Sequence, residues 1–299
     1  MKKMINKYID YLIYQKNYSN YTTENYKEDL LFFHDYLEKE YLNFLDIKYQ
    51  DLHLFFNYLD DLKYSKNTIA RRISSIRSFY KYLVRNKYID YNPFELVSLP
   101  KKDKKLPKFL YYNELEILFK IPDLKTNLGI RNRLILELLY ATGMRVGELE
   151  KIKLQDINQS EQTIKILGKG NKERIVYYGD YAAKYLDKYI KTSRKNLLKE
   201  KKDENYLLLN NNGTRLTSRG IRLIINDIID KSTLDAKISP HTLRHTFATH
   251  LLNEGCDILS VQELLGHESL KATQIYTHIT NETLKNVYLK SHPRGNKKI

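Results

Sequence analysis

The chain has 299 residues, enough for two domains that each bury a core, and its 42% hydrophobic and 29% charged content exclude a disordered or fibrous protein. No apolar run reaches the roughly 18 residues of a membrane span, and the opening MKKMINKYIDYLIYQ is broken by polar residues, so it reads as neither a signal peptide nor an anchor. The one cysteine, Cys256, allows no internal disulfide and suits a reducing cytoplasm, while a net charge of +15 suggests a polyanionic partner, nucleic acid or an anionic membrane surface. On charge alone a solvated, lysine-rich surface is an equally good reading.

The first hundred residues hold 15 Lys/Arg against 13 Asp/Glu and read as several helices between short polar turns. Ser19 to Lys39 repeats apolar or aromatic residues at three and four, among them Tyr26, Leu30, Phe33, Tyr36 and Leu37. In NTIARRISSIRSFYKYLVR, residues 67–85, Ile69, Ile73, Ile76, Tyr80 and Leu83 make one apolar stripe. Arg71, Ser74, Ser78 and Lys81 fall opposite it, with Arg77 beside them. Arginine forks among small hydroxyls suit close approach to phosphates, and an ordinary solvated face accounts for the pattern as well.

Residues 91–110, YNPFELVSLPKKDKKLPKFL, lack helical periodicity and carry Pro93, Pro100 and Pro107, which marks a linker. Its last ten residues hold five lysines and one acid, a strap able to lie along a phosphate backbone. The expected division is 1–100 as an N-terminal helical domain, 101–110 as a basic linker and 111–299 as a C-terminal domain.

Beyond the linker, Tyr112 to Phe119 and the apolar Leu128 to Tyr140 read as helices, and Thr142–Gly143 stops the second. TIKILGKGNKERIVYY, residues 163–178, reads as two strands around a Gly- and Asn-rich turn, and Tyr206 to Leu209 as a further short strand. Helices follow at Ser218–Ile229, Ser239–Leu252, Ile258–Leu265, Leu270–Tyr276 and Asn281–Lys290. The expected fold class is mainly α with a small antiparallel β-sheet in the C-terminal domain.

Cleaving a phosphodiester without a metal requires cations on the non-bridging oxygens, a nucleophile, and an acid for the departing oxygen. The second domain holds such a set. Arg145 precedes Glu148 by three residues, a spacing common in surface ion pairs. Ser239 and Pro240 open a helix whose early face carries His241 and Arg244, near an N-terminus that favours anions. Lys169 sits in the glycine-rich turn, His267 follows a glycine that ends a helix, and Tyr276 is one of 26 tyrosines. Singly, each is better explained as structural or solvated.

As an ordered set they resemble the tyrosine recombinase, or phage integrase, family, and within it the bacterial Xer-type recombinases. The resemblance rests on ATGMRVGEL, GKGNKER, SPHTLRHTFATHLL and LLGHESLKATQIYTH, supported by the helix NTIARRISSIRSFYKYLV and the closing LKNVYLKSHPR. It implies a two-domain, C-shaped clamp in which Tyr276 attacks the scissile phosphate and leaves a 3′-phosphotyrosyl link. Arg145 and Arg244 would then clamp the non-bridging oxygens, and Lys169 would protonate the 5′-oxygen. His241 would assist the tyrosine's proton, His267 would bond the phosphate, and Glu148 would brace the cationic side chains.

The family's partner is double-stranded DNA carrying a specific recombination site. Candidate DNA contacts are Lys66, Arg71, Arg72, Arg77, Lys81 and Lys172. The resemblance further implies dimer resolution at a dif-like site and a homotetramer or heterotetramer linked through the C-terminal helix, with Leu284, Val287 and Tyr288 as its apolar face. The resemblance also implies a DNA translocase among the candidate partners, and it implies no cofactor, metal or ATP. The expected location is the cytoplasm, at the nucleoid. A mobile-element integrase or invertase, a non-catalytic DNA-binding relative, and a metal nuclease built on His241, His245 and His250 are the other readings. The last lacks both the glutamate of a zinc protease motif and a carboxylate cluster for magnesium.

Overall fold

The computed structural model describes residues 1–100, 109–168, 172–199, 205–234, 238–266 and 281–295. The chain divides into two compact units, Met1–Lys105 and Leu106–Ile299.

The first unit is built from four helices: α1 (Lys2–Tyr14), α2 (Asn20–Lys39), α3 (Leu52–Asp61) and α4 (Lys66–Arg85). Ser19 and Ser65 start α2 and α4 in the same way, each accepting the backbone N–H of a threonine three residues on, at 3.3 and 3.2 Å. Each cap satisfies a donor that the first helical turn leaves unpaired. The core is aromatic. Phe33 meets Phe55 edge-on at 4.9 Å and Phe94 at 5.6 Å, with Tyr8, Phe79 and Tyr80 buried around them. Such pairs add roughly 0.5–1.5 kcal/mol each beyond the area they bury.

The polar side of α4 departs from expectation. Ser78 accepts the Tyr8 hydroxyl at 2.7 Å, so it faces α1. Arg77 gives Nε to the Phe94 carbonyl at 2.8 Å and Nη2 to that of Val97, pinning the segment after the helix. Arg72 lies 3.6 Å above the Phe32 ring and 4.6 Å from that of Tyr64. Arg71 pairs at 2.5 Å with buried Asp29, which also accepts Ser75 Oγ at 2.9 Å. A long guanidinium reaches carbonyls and rings that helical periodicity does not report.

The second unit is organised around α6 (Asn127–Thr142), which is buried on nearly every side. A helix apolar all round belongs in a core. Before it comes α5 (Tyr112–Lys120), and after it the short α7 (Val146–Leu149). A three-stranded antiparallel sheet follows in the order β1 (Ile157–Asn158), β2 (Thr163–Leu167), β3 (Glu173–Tyr177). Thr163 pairs with Tyr177 and Leu167 with Glu173, and the hairpin closes with Gly168 N–H on the Lys172 carbonyl at 2.7 Å. A helical stretch absent from the sequence reading comes next, α8 (Asp180–Lys188) passing through a π-turn into α9 (Arg194–Leu198), with Ala182, Leu186, Tyr189 and Leu197 inward. The unit continues with α10 (Ser218–Asp230), α11 (Pro240–Asn253), α12 (Ile258–Leu265) and α13 (Asn281–Ser291).

One expectation is corrected. Tyr206–Leu209 is not a strand. It makes single bridges to Lys153 on one side and Arg215 on the other, because its backbone bonds go to two different segments. In the single chain the C-terminal helix packs on its own unit. Leu284 and Tyr288 are buried with Phe247, Leu251, Val261 and Leu265, and Val287 packs beside them. The expected helix at Leu270–Tyr276 lies outside the described residues.

What anchors α13 is the segment that follows it. His292 stacks on Tyr288 with ring centres 5.0 Å apart. Arg294 Nη1 reaches Glu137 of α6 at 2.5 Å, and its Nη2 pairs with Glu116. Glu137 is fully buried and also accepts Arg133 at 2.8 Å. One carboxylate thus offsets two guanidiniums inside the unit. Removing one member of a buried ionic cluster costs about 3–5 kcal/mol, because it strands the remaining charge. Glu137→Gln is therefore expected to lower the unfolding free energy by about that much, read from the midpoint of urea denaturation at constant slope.

Candidate active site

Gly143 ends α6 with φ +59°, and a Cβ there would stand 2.5 Å from the Phe247 ring. The left-handed turn and the close approach of α11 both demand glycine. The chain then turns so that Arg145 caps α7. Its backbone N–H donates to Glu148 Oε2 at 2.7 Å and its Nη1 to Oε1 at 3.0 Å. The pair is no surface ion pair, since Glu148 is only 6% exposed.

A residue that the sequence reading passed over completes the arrangement. Arg174 on β3 grips Glu148 with two parallel hydrogen bonds, Nη1 to Oε1 at 2.8 Å and Nη2 to Oε2 at 2.9 Å. Burial by itself would raise the Glu148 carboxyl, but the bonds from Arg174 and Arg145 outweigh it and hold the group below the ordinary carboxylate range. The available signal was the alternation of β3, where Arg174 shares the inward face with Val176. A charge on an inward face requires a partner.

Arg244 comes from the first turns of α11, which opens as expected. Ser239 accepts the Thr242 N–H at 3.3 Å, its own N–H donates to Thr242 Oγ1 at 3.0 Å, and Pro240 holds the first position. Arg244 is 8% exposed and donates to the Gly143 carbonyl at 2.5 Å and the Leu265 carbonyl at 2.7 Å. Those carbonyls close α6 and α12, where helices concentrate partial negative charge. Burial, and then the neighbouring charge of Arg145, lower its pKa to about 10, so it stays cationic at neutral pH.

Arg145, Glu148, His241 and Arg244 line one open cavity of about 510 Å³, together with Gly168 and two further cations, Lys151 and Arg222. His241 is exposed at its mouth. One buried carboxylate faces three arginines, which leaves the site with a surplus of positive charge suited to a phosphate. Lys169, His267 and Tyr276 lie outside the described residues; Gly168, which precedes Lys169, and Gly266, which precedes His267, both lie beside Arg174. His250, the third histidine of the metal reading, is buried and hydrogen-bonded through Nδ1 to the Tyr140 hydroxyl at 2.8 Å. Among the described residues no group of three His, Cys, Asp or Glu is placed to hold a metal ion.

A mainly helical domain with a small sheet and an arginine-lined pocket at a helix N-terminus defines a protein that handles phosphodiesters. Residues 108–283 match the model of the phage integrase family, and residues 5–87 match that of the phage integrase N-terminal SAM-like domain. The tyrosine recombinase XerC of Anoxybacillus flavithermus is 52% identical over 97% of this chain and 98% of its own length. That of Oceanobacillus iheyensis is 47% identical over 98% and 96%. Among solved structures, the XerH site-specific recombinase bound to difH in a pre-cleavage complex aligns at 27% identity and TM-score 0.67, over 86% of this chain and 77% of that one. The chain belongs to the phage integrase family and is a tyrosine recombinase, an enzyme that cleaves and rejoins DNA.

The lowered Glu148 carboxyl makes stability depend on pH with a definite sign. Its contribution is complete above the unfolded-state pKa and is lost as the pH falls through the lower folded-state value. Glu148→Gln is expected to cost about 2 kcal/mol at pH 7, the scale of hydrogen bonds to a charged group. The gap from the parent protein should narrow steadily below about pH 4.5, as urea-unfolding midpoints measured across the acid range would reveal.

Proposed function

We propose that the chain is a Xer-type site-specific recombinase that cuts DNA with the phenolic oxygen of Tyr276 and resolves chromosome or plasmid dimers at a dif-like site. The observation that carries the chemistry is the convergence of Arg145 and Arg244 on one pocket around buried Glu148. The relatives named XerC, aligned over nearly the full chain, support the biological role.

In this reading Arg145 and Arg244 bind the two non-bridging oxygens and offset the negative charge that grows as the phosphorus gains a fifth oxygen. Tyr276 attacks, its proton passes by way of His241, and the bond to the 5′-oxygen breaks as Lys169 protonates it. The products are a 3′-phosphotyrosyl link and a free 5′-hydroxyl. Attack by a 5′-hydroxyl reverses every transfer and releases the tyrosine, so rejoining consumes no nucleotide. A phenol of pKa near 10 is a weak nucleophile at neutral pH, and the surrounding cations ease its ionisation. His267 adds a hydrogen bond to the phosphate.

Residues 1–100 form the core-binding domain and 111–299 the catalytic domain, with 101–110 as the basic strap between them. On α4, Lys81 and Arg71 are exposed, which supports their role as DNA contacts, with Lys66 at the start of the helix and Lys172 beside the hairpin turn as further contacts. Arg72 and Arg77 act indirectly, by holding the shape of the domain. On DNA the protein works as a tetramer, with itself or with a second recombinase, and α13 exchanges its own domain for a neighbour's. A DNA translocase activates it, and it acts at the nucleoid in the cytoplasm.

A nicked duplex carrying a dif-like site, incubated with the protein in chelator and without nucleotide, tests the reading. A covalent protein–DNA band is expected, lost in Tyr276→Phe and formed about 10²–10³-fold more slowly by Arg244→Ala, the scale for removing one oxyanion donor. A band that persists in Tyr276→Phe, or no band on a site the protein binds, overturns it.

A further inference from the structure

We infer that Arg174 is a positioning residue for the cleavage reaction, a single guanidinium that sets three separate pieces of the active site against one another. The inference rests on the tyrosine reading above.

The first piece is Glu148, gripped at both oxygens by Arg174 while the same carboxylate orients Arg145 through its side chain and its backbone N–H. The second is the end of β2. A Cβ added to Gly168 would stand 3.2 Å from Arg174 Nη1, and the next residue in the chain is Lys169. The third is the end of α12. Gly266 has φ +65°, and a Cβ there would stand 2.9 Å from both Cδ and Nε of Arg174. The residue after it is His267. One side chain therefore fills the space beside the glycines immediately before two of the proposed functional residues and holds the carboxylate that braces a third.

One feature separates this from an ordinary ion pair. Both glycines leave room for the guanidinium, so the surrounding backbone is shaped to admit it. Lysine keeps the charge but offers a point donor in place of the planar fork, so it supplies only part of the grip.

Arg174→Gln and Arg174→Lys, each in the full chain, are compared with the parent protein for affinity by gel shift and for the single-turnover rate of covalent complex formation on the nicked substrate. Arg174→Gln is expected to bind within about threefold of the parent and to cleave about 10–100-fold more slowly, the range for groups that orient a catalytic shell. Arg174→Lys should recover part of that rate at unchanged affinity. Cleavage by Arg174→Gln at the parent rate, or loss of binding and cleavage in parallel, overturns the inference. Should Arg174→Gln fail to fold, Arg174→Lys decides it: slower cleavage at unchanged affinity supports the role, and parent-like cleavage overturns it. If the parent protein forms no covalent complex, the tyrosine reading falls, and this inference with it.

Discussion

A carboxylate removed from water must be paired with cations or lose its charge, and the burial of Glu148 imposes that condition on everything near it. The partners come from two places, Arg145 only three residues before it and Arg174 twenty-six residues after. Satisfying Glu148 therefore ties α7 to the start of β3, an edge strand of the sheet, and aims Arg145 into the cavity. The charges do not balance. One carboxylate serves Arg145 and Arg174, while among the described residues Arg244 donates to carbonyl oxygens. The excess attracts an anion, and electrostatic preorganisation of this kind acts without reorganising during the reaction.

Arg244 solves a second problem. A buried guanidinium has five donors and no acceptor, and here two of them take the exposed carbonyl ends of α6 and α12. The residue thereby fastens two helix termini to α11 and keeps its positive charge for the pocket. Gly143 and Gly266, which end those helices in the left-handed region, let the carbonyls and side chains come this close. Capping, close packing and charge placement are one arrangement at this corner of the domain.

Further back on α6, Glu137 repeats the motif of a buried carboxylate between two arginines, but with a different consequence. Arg133 is four residues away on the same helix, whereas Arg294 arrives from the end of the chain. The contact holds α13 against α11 and α12 and accounts for its position on its own domain. A helix whose apolar face is only Leu284, Val287 and Tyr288 has modest burial to hold it, so the ionic anchor after it carries weight. An exchange of α13 between subunits must break that anchor and remake it.

Local order was legible in the residues themselves. The serine cap at 239, the stop at Gly143, the hairpin between Thr163 and Tyr177 and the ordered family motifs all depend on nearby residues or on matched strings. The types of group needed for the chemistry, arginine, histidine, lysine and tyrosine, were therefore readable, as was the family. Which charge is buried, and with what, was decided only in three dimensions. Arg174 carried no role in the sequence and became the clamp on Glu148, while Arg77 read as a DNA contact and turned back onto the carbonyls of Phe94 and Val97. The apolar face of α13 was visible, but not the surface that covers it. The reason is physical: propensity and capping act through bonds a turn away, whereas a long charged side chain pairs with whatever partner the folded backbone brings within about 3 Å.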